Sequence, residues 1–373
     1  MSEEILNNVR KNLFAIKPYQ PGKPISDVKR DYGLSDVIKL GSNENPLGPS
    51  KLAQQAIAEA LQGVNRYPDP GAFSLKEALS KKHGVETKQI LVGNGSDDTI
   101  KLISETFLQQ GAEIVVPSPS FSQYWFGAQL MDATTVAVPL TADFEYDFEA
   151  MLSAVTASTK LLYLCSPNNP TGNYIRQADL QAFLDRVPAH VLVILDEAYN
   201  EYVVENDYAQ GIDFLKQGYN VIVMRTFSKM YALAGLRLGY VMGPAEVIDA
   251  INRTREPFNA NLLAQTAAIA ALDDADHVEA SRKQNREGMQ RLQAGLEKLG
   301  YQLLPSQGNF AIFNTGLDDQ KLFDLLLREG VIVRSGTPLG LPGYLRVSIG
   351  LLEEVDRFLS VFEKVVSSAV RNV

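Results

Sequence analysis

The 373-residue sequence predicts an α/β protein, with a larger domain on a mostly parallel central sheet covered by helices and a smaller α/β domain beside it. Three observations predict this. From residue 90 onward, short aliphatic runs alternate with amphipathic stretches. After about residue 255 the grain changes to a long charged segment followed by short strand-like runs. The first fifty residues are rich in Pro and Gly (Pro18, Pro21, Gly22, Pro24, Pro46, Gly48, Pro49), which suits an extended arm. The chain therefore divides into an arm over 1–50 that joins the smaller domain, a large domain over 51–255 and a small C-terminal domain over 256–373. A chain of 373 residues is long enough for two such cores.

The elements follow in order. Leu52, Ala53, Ala56, Ile57, Ala60 and Leu61 recur at helical spacing, and Gly63 stops the helix. The predicted strands are ILV at 90–92, EIVV at 113–116, KLLYLC at 160–165, VLVIL at 191–195 and VIVM at 221–224. Helical stretches separate them, such as 97–108, where Thr99, Ile100, Ile103 and Phe107 share a face. Strands spaced this way run parallel and are buried on both sides. Beyond the grain change, 275–299 reads as helix. FAIF at 310–313, VIVR at 331–334 and LRVSI at 345–349 read as strands, and a last helix lies near 352–367. Ligands of such sheets sit at the carboxyl ends of the strands, so reactive residues should stand directly behind them.

Composition narrows the function classes. Hydrophobic residues make up 45% and charged residues 21%, as in a soluble globular protein. The net charge of −9 does not attract polyanions, so any phosphate must be held by local donors. No basic run or DNA-reading spacing appears. A single cysteine, Cys165, permits neither an intramolecular disulfide nor a cysteine-based metal site. His83, His190 and His277 fall in no motif, and no metal is expected. The opening MSEEILNNVRKNLF is acidic and lacks the apolar core of a secretory signal. The longest aliphatic runs fall short of the about 20 residues of a membrane span. The expectation is a cytoplasmic enzyme or binding protein.

Four candidate features stand behind predicted strands. After ILV comes Gly93-Asn94-Gly95-Ser96-Asp97-Asp98, where glycines and a helix N-terminus can cradle an anion. By itself this is also an ordinary helix-capping turn. After KLLYLC comes Ser166-Pro167-Asn168-Asn169-Pro170-Thr171-Gly172, a rigid polar turn. After VLVIL comes Asp196, then Tyr199 three residues on. A half-buried acid there needs a positive partner, such as a protonated ring nitrogen, unless it only caps the next helix. After VIVM comes Arg225-Thr226-Phe227-Ser228-Lys229, with Arg237 eight positions past the lysine. Loop lysines are ordinarily solvated. One that is desolvated near other cations becomes a nucleophilic amine suited to Schiff-base formation. Taken together, the four supply what pyridoxal phosphate requires: a lysine for the aldehyde, an acid for the ring nitrogen, donors for the ring hydroxyl and a phosphate nest.

SPNNPTG, DEAY and TFSK followed by LAGLRLGY resemble the class I/II aminotransferases of pyridoxal-phosphate (PLP) fold type I. IKLGSNENPLGPS, RYPDP at 66–70 and LRVSIG are similar to the histidinol-phosphate branch of that family. The resemblance runs from about Tyr19 to Gly350. It implies that Lys229 holds PLP as a Schiff base and moves the reaction's proton, with Asp196 on the ring nitrogen and Asn169 and Tyr199 on the ring hydroxyl. It implies a phosphate cup of Gly95, Ser96, Asp97, Thr226, Ser228 and Arg237, and Phe121 stacked on the ring. Tyr67 matches a tyrosine that reaches the partner subunit's cofactor, so a homodimer with shared sites is implied. Arg334 and Arg346 match the pair that grips the substrate's phosphate or carboxylate, and Tyr19 and the Asn43-Glu44-Asn45 loop match the side-chain wall. Met230-Tyr231 stands where many relatives read Ala-Phe.

The implied reaction is transamination between L-histidinol phosphate and 2-oxoglutarate, giving imidazole acetol phosphate and glutamate for histidine biosynthesis. An aromatic amino acid aminotransferase and a threonine-phosphate decarboxylase share most of these motifs. A PLP-sensing regulator would need a DNA-reading domain, and the residues before the core are too few and too proline-rich for one.

Overall fold

The computed structural model describes residues 3–16 and 22–370. Strand β1 (Ile38–Lys39) comes from the N-terminal segment. Seven strands then form the large sheet: β2 (Ile90–Gly93), β3 (Glu113–Ser118), β4 (Thr134–Pro139), β5 (Thr159–Cys165), β6 (Leu192–Asp196), β7 (Val221–Thr226) and β8 (Gly239–Met242). Their order is β2-β8-β7-β6-β5-β3-β4. Only β8 runs against the others. The last four strands are β9 (Phe310–Asn314), β10 (Val331–Ile332), β11 (Arg334–Ser335) and β12 (Tyr344–Ser348). Strands β11, β12 and β9 form an antiparallel sheet, and β10 pairs with β1 in parallel.

Alternation along the central strands explains the two-sided cover. Val193 and Leu195 join one buried cluster, and Leu192 and Ile194 join the other. The first cluster is closed by helices Phe73–His83, Gln177–Leu184 and Leu262–Leu272 through Leu75, Phe183 and Ala264. The second is closed by Ser96–Phe107, Gln123–Leu130 and Ala245–Asn252 through Ile103, Tyr124 and Ile248. A separate core packs the three-stranded sheet against Ala275–Lys298, Asp319–Arg328 and Leu352–Val370 through Leu296, Leu326 and Phe358.

Three expectations need correction. The N-terminal segment is not wholly extended, because Ile25–Tyr32 is helical. Its Val28 packs with Val37, Leu327 and Ile332, and Gly33 ends it in the left-handed conformation at φ 66°. The run 331–334 is not one strand. Its first half pairs with β1 and its second half with β12, so it bends between partners at Val333. Gly41 lies against that bend, where a Cβ would meet the Val333 carbonyl oxygen at 2.8 Å. Finally, β4 and β8 extend the sheet beyond the five strands expected. Most of β4 faces solvent at the sheet edge, so it lacks a buried strand's aliphatic run.

Candidate active site

The carboxyl ends of β5, β6 and β7 open into one cavity of about 880 Å³. Lys229, Asp196, Tyr199, Asn169, Ser96, Asp97, Phe121, Thr226, Ser228, Arg237, Arg334 and Arg346 all line it. The strand-end rule therefore places the separate motifs in a single site.

Lys229 follows β7 by three residues, and its Nζ donates to the Ser42 carbonyl at 3.0 Å. Removal from bulk water, and then the Arg346 charge, lower its pKa to about 8. Asp196, the last residue of β6, is 3% exposed. Tyr124 donates to its Oδ2 at 2.6 Å and the Ala198 amide to its Oδ1 at 3.1 Å. Burial raises its pKa to about 6, and among the described residues it forms no ion pair. A buried acid that faces a cavity, with only neutral hydrogen-bond partners and other carboxylates nearby, suits a ligand carrying positive charge.

The two asparagines behind β5 divide their work. Asn168 is fully buried, takes Ser120 Oγ on Oδ1 at 2.7 Å, and donates to Thr171 Oγ1 at 2.7 Å and Pro119 O at 3.1 Å. That locks the turn, which includes cis peptides before Pro167 and Pro170. Asn169 points into the cavity, accepting from Arg346 Nη1 at 2.5 Å and donating to the Tyr199 hydroxyl at 3.4 Å. Burial raises the Tyr199 pKa well above the ordinary phenol value.

Helix Ser96–Phe107 begins at the cavity. Gly95 precedes it at φ 87°, and a Cβ there would sit 2.6 Å from Arg237 Nη2. Ser96 Oγ is buried without a hydrogen-bond partner. Arg237 Nη2 also contacts Asp97 Oδ2 at 3.3 Å, and Thr226 and Ser228 add hydroxyls. An orphan hydroxyl, a helix N-terminus and a guanidinium around a glycine turn fit a phosphate. Arg334 and Arg346 stand opposite each other across β11 and β12. Arg346 is buried and donates through Nη2 to the Gly41 carbonyl at 2.8 Å. With Lys229 and Asp196 between these two anion-holding ends, the residues present fit pyridoxal phosphate.

Three predicted residues do not line this cavity, and a fourth lies outside the described residues. Gly95 lies behind Arg237 and does not line the cavity. Asn45 does not line the cavity: its Nδ2 donates to Met230 O at 2.8 Å and Ser281 Oγ at 2.9 Å, and its Oδ1 takes the Leu47 amide at 3.1 Å. These bonds use up its side chain in bracing the loop after Lys229, and Asn43 lines the cavity instead. Tyr67 is 82% exposed and stacked on Phe258 at 4.5 Å, away from the cavity of its own chain. Tyr19 lies outside the described residues. Sequence reasoning missed Tyr124 and the Pro338–Gly340 wall. Tyr124 follows Phe121 by three residues, at the start of helix Gln123–Leu130, a nearness that could have flagged it.

Comparison with known proteins gives the following. The family model for aminotransferase class I and II matches residues 35–362. Histidinol-phosphate aminotransferase of Moorella thermoacetica is 46% identical over 359 residues, covering 96% of this chain and 93% of the relative. Histidinol-phosphate aminotransferase 2 of Pseudomonas fluorescens is 43% identical over 371 residues, covering 99% of this chain and 100% of the relative. The crystal structure of histidinol-phosphate aminotransferase from Sinorhizobium meliloti in complex with pyridoxal-5'-phosphate superposes with a TM-score of 0.89 at 28% identity, covering 97% of this chain and 98% of that one. Aspartate aminotransferase from Thermus thermophilus with maleate gives 0.83 at 25% identity, covering 96% of this chain and 99% of that one.

Proposed function

Because this chain belongs to the class I and II aminotransferase family, we propose that it transfers an amino group from L-histidinol phosphate to 2-oxoglutarate, using pyridoxal phosphate. The products are imidazole acetol phosphate and glutamate. One observation carries the reading: a single cavity holds a lowered-pKa lysine between two separate anion-holding ends. One end suits the cofactor's phosphate. The other suits the substrate's own anionic group.

Pyridoxal phosphate, when bound, supplies an aldehyde carbon and an electron-accepting ring. Ser96, Thr226, Ser228 and Arg237 hold its phosphate, with Gly95 giving the backbone room and Asp97 orienting the arginine. Asp196 keeps positive charge at the ring nitrogen, and Tyr124 fixes that carboxylate. Asn169 and Tyr199 face the ring oxygen, and Phe121 covers a ring face. Lys229 Nζ, neutral above about pH 8 before ligand arrives, takes the proton from the reacting carbon and returns it. Arg346 and Arg334 grip phosphate in one half-reaction and carboxylate in the other, a task suited to guanidinium forks. Tyr67, exposed in one chain, is read as reaching the partner's cofactor in a homodimer. A purified protein that sediments as a monomer while fully active contradicts that part.

A donor panel with 2-oxoglutarate as acceptor tests the whole. Histidinol phosphate should give the highest kcat/KM. Faster turnover of phenylalanine, or decarboxylation of threonine phosphate, overturns the substrate assignment.

A further inference from the structure

Three consecutive residues after β1 each touch a different reacting group. Gly41 O accepts from Arg346 at 2.8 Å, Ser42 O accepts from Lys229 at 3.0 Å, and Asn43 Nδ2 donates to the Tyr199 hydroxyl at 3.0 Å. Asn43 is 1% exposed, and all its polar groups are engaged. Its amide N–H donates to Ser348 Oγ at 2.8 Å, and its carbonyl accepts from Asn309 Nδ2 at 3.0 Å. Its Oδ1 accepts from the Ser348 hydroxyl at 2.8 Å.

This pattern dictates where protons lie. Ser348 Oγ receives the Asn43 amide proton, so its own proton goes to Asn43 Oδ1. The Asn43 side chain is thereby oriented, with Nδ2 toward Tyr199. A second amide is oriented independently. Asn169 Oδ1 faces Arg346 Nη1 at 2.5 Å, and a guanidinium can only donate, so Asn169 Nδ2 faces Tyr199 at 3.4 Å. Both amide nitrogens donate and neither can accept. The phenol oxygen accepts from both, so its own proton is used toward neither amide, and Tyr199 lines the cavity.

We propose that Asn43, oriented by Ser348, is a positioning residue that aims the Tyr199 hydroxyl proton into the cavity, making Tyr199 a donor to bound ligand. The inference rests on reading the cavity as a pyridoxal-phosphate site. A donor at the ring oxygen stabilises negative charge there, and the bound chromophore then loses its proton at lower pH.

The backbone at Asn43 has φ 53°, which Gly, Asn and Asp adopt more readily than other residues. Asn43→Gly therefore removes the amide without straining the turn, and Asn43→Asp replaces the donor by an acceptor that draws the Tyr199 proton away. The experiment follows the pH midpoint of the bound cofactor's absorbance in reconstituted protein, with thermal unfolding of the cofactor-free variants checking the fold. Asn43→Asp should raise the midpoint by about one pH unit or more, the size of one hydrogen bond. Asn43→Gly should raise it by less. In a Tyr199→Phe background, neither variant should move it further. A wild-type midpoint retained in Asn43→Asp overturns the inference, as does a shift that persists without the phenol. Wild-type protein that forms no cofactor band overturns the cofactor reading, and the inference with it.

Discussion

Asp196 and Lys229 face opposite charge problems in one cavity. Burial lifts the Asp196 pKa from 3.8 to about 6, so the folded protein holds that proton where the unfolded chain has lost it. The stability tied to this proton is fully present below about pH 4 and is lost as pH rises through about 6. At pH 7 the bare carboxylate opposes folding of the cofactor-free protein by about 1–3 kcal/mol. Asp196→Asn should therefore raise the Tm of cofactor-free protein at pH 7 and flatten its dependence between pH 4 and 6, while weakening cofactor binding. An unchanged Tm contradicts the burial argument. Lys229 has the reverse sign: its pKa falls from 10.5 to about 8, and only its neutral amine attacks an aldehyde. The rate at which cofactor-free protein captures pyridoxal phosphate should drop about tenfold per pH unit well below pH 8 and level off above it. Arg346→Gln should move that midpoint upward, since it removes a neighbouring positive charge. Stopped-flow absorbance across pH reads both. These two residues were legible in the sequence because each stands directly behind an aliphatic strand. Tyr124 was not, and Asn43 was expected only as part of the side-chain wall, because they meet Asp196 and Tyr199 from 72 and 156 positions away.

At the scale of elements, β6 and β7 do two jobs with alternate residues. Asp196 ends β6 facing the cavity, while Glu197 lies beneath, paired with Arg225 of β7 at 2.8 Å. Glu197 also accepts the Gly211 amide on Oε1 at 2.5 Å. Both partners of the pair are buried. Glu197→Ala leaves the guanidinium buried without its carboxylate partner, with Gln210 Oε1 at 3.3 Å. We expect a loss of about 3–5 kcal/mol in urea unfolding. A change under about 1 kcal/mol would show that Arg225 finds water or another partner. The strands that carry these residues announced themselves as aliphatic runs because both their faces are covered. The half-exposed β4 and the bent run 331–334 did not. A half-exposed edge strand such as β4 lacks a buried strand's apolar run, and a bend between two sheets depends on partners far along the chain.

On the scale of the whole molecule, the cavity is closed by pieces of every part. The large sheet supplies Lys229 and Asp196, the three-stranded sheet supplies Arg334 and Arg346, and the N-terminal segment supplies Ser42 and Asn43. Under the proposed function one arginine pair serves two different anions in turn, so the first product leaves before the second substrate enters. Initial rates at varied donor and acceptor should give parallel double-reciprocal lines. Intersecting lines would show both substrates bound together and exclude this sequence of events.

The pairing of β1 with β10 bears on how the protein is made. Ile38 is synthesised early, and its partner Val331 emerges close to the other end of the chain. Until then Gly41, Ser42 and Asn43 have no fixed place, and the Lys229 loop lacks the carbonyl that receives its amine. On the ribosome, the central sheet can assemble before β1 finds its partner. Competence to hold a ligand therefore waits on the pairing of residues 38–39 with 331–332, which lie about three hundred positions apart.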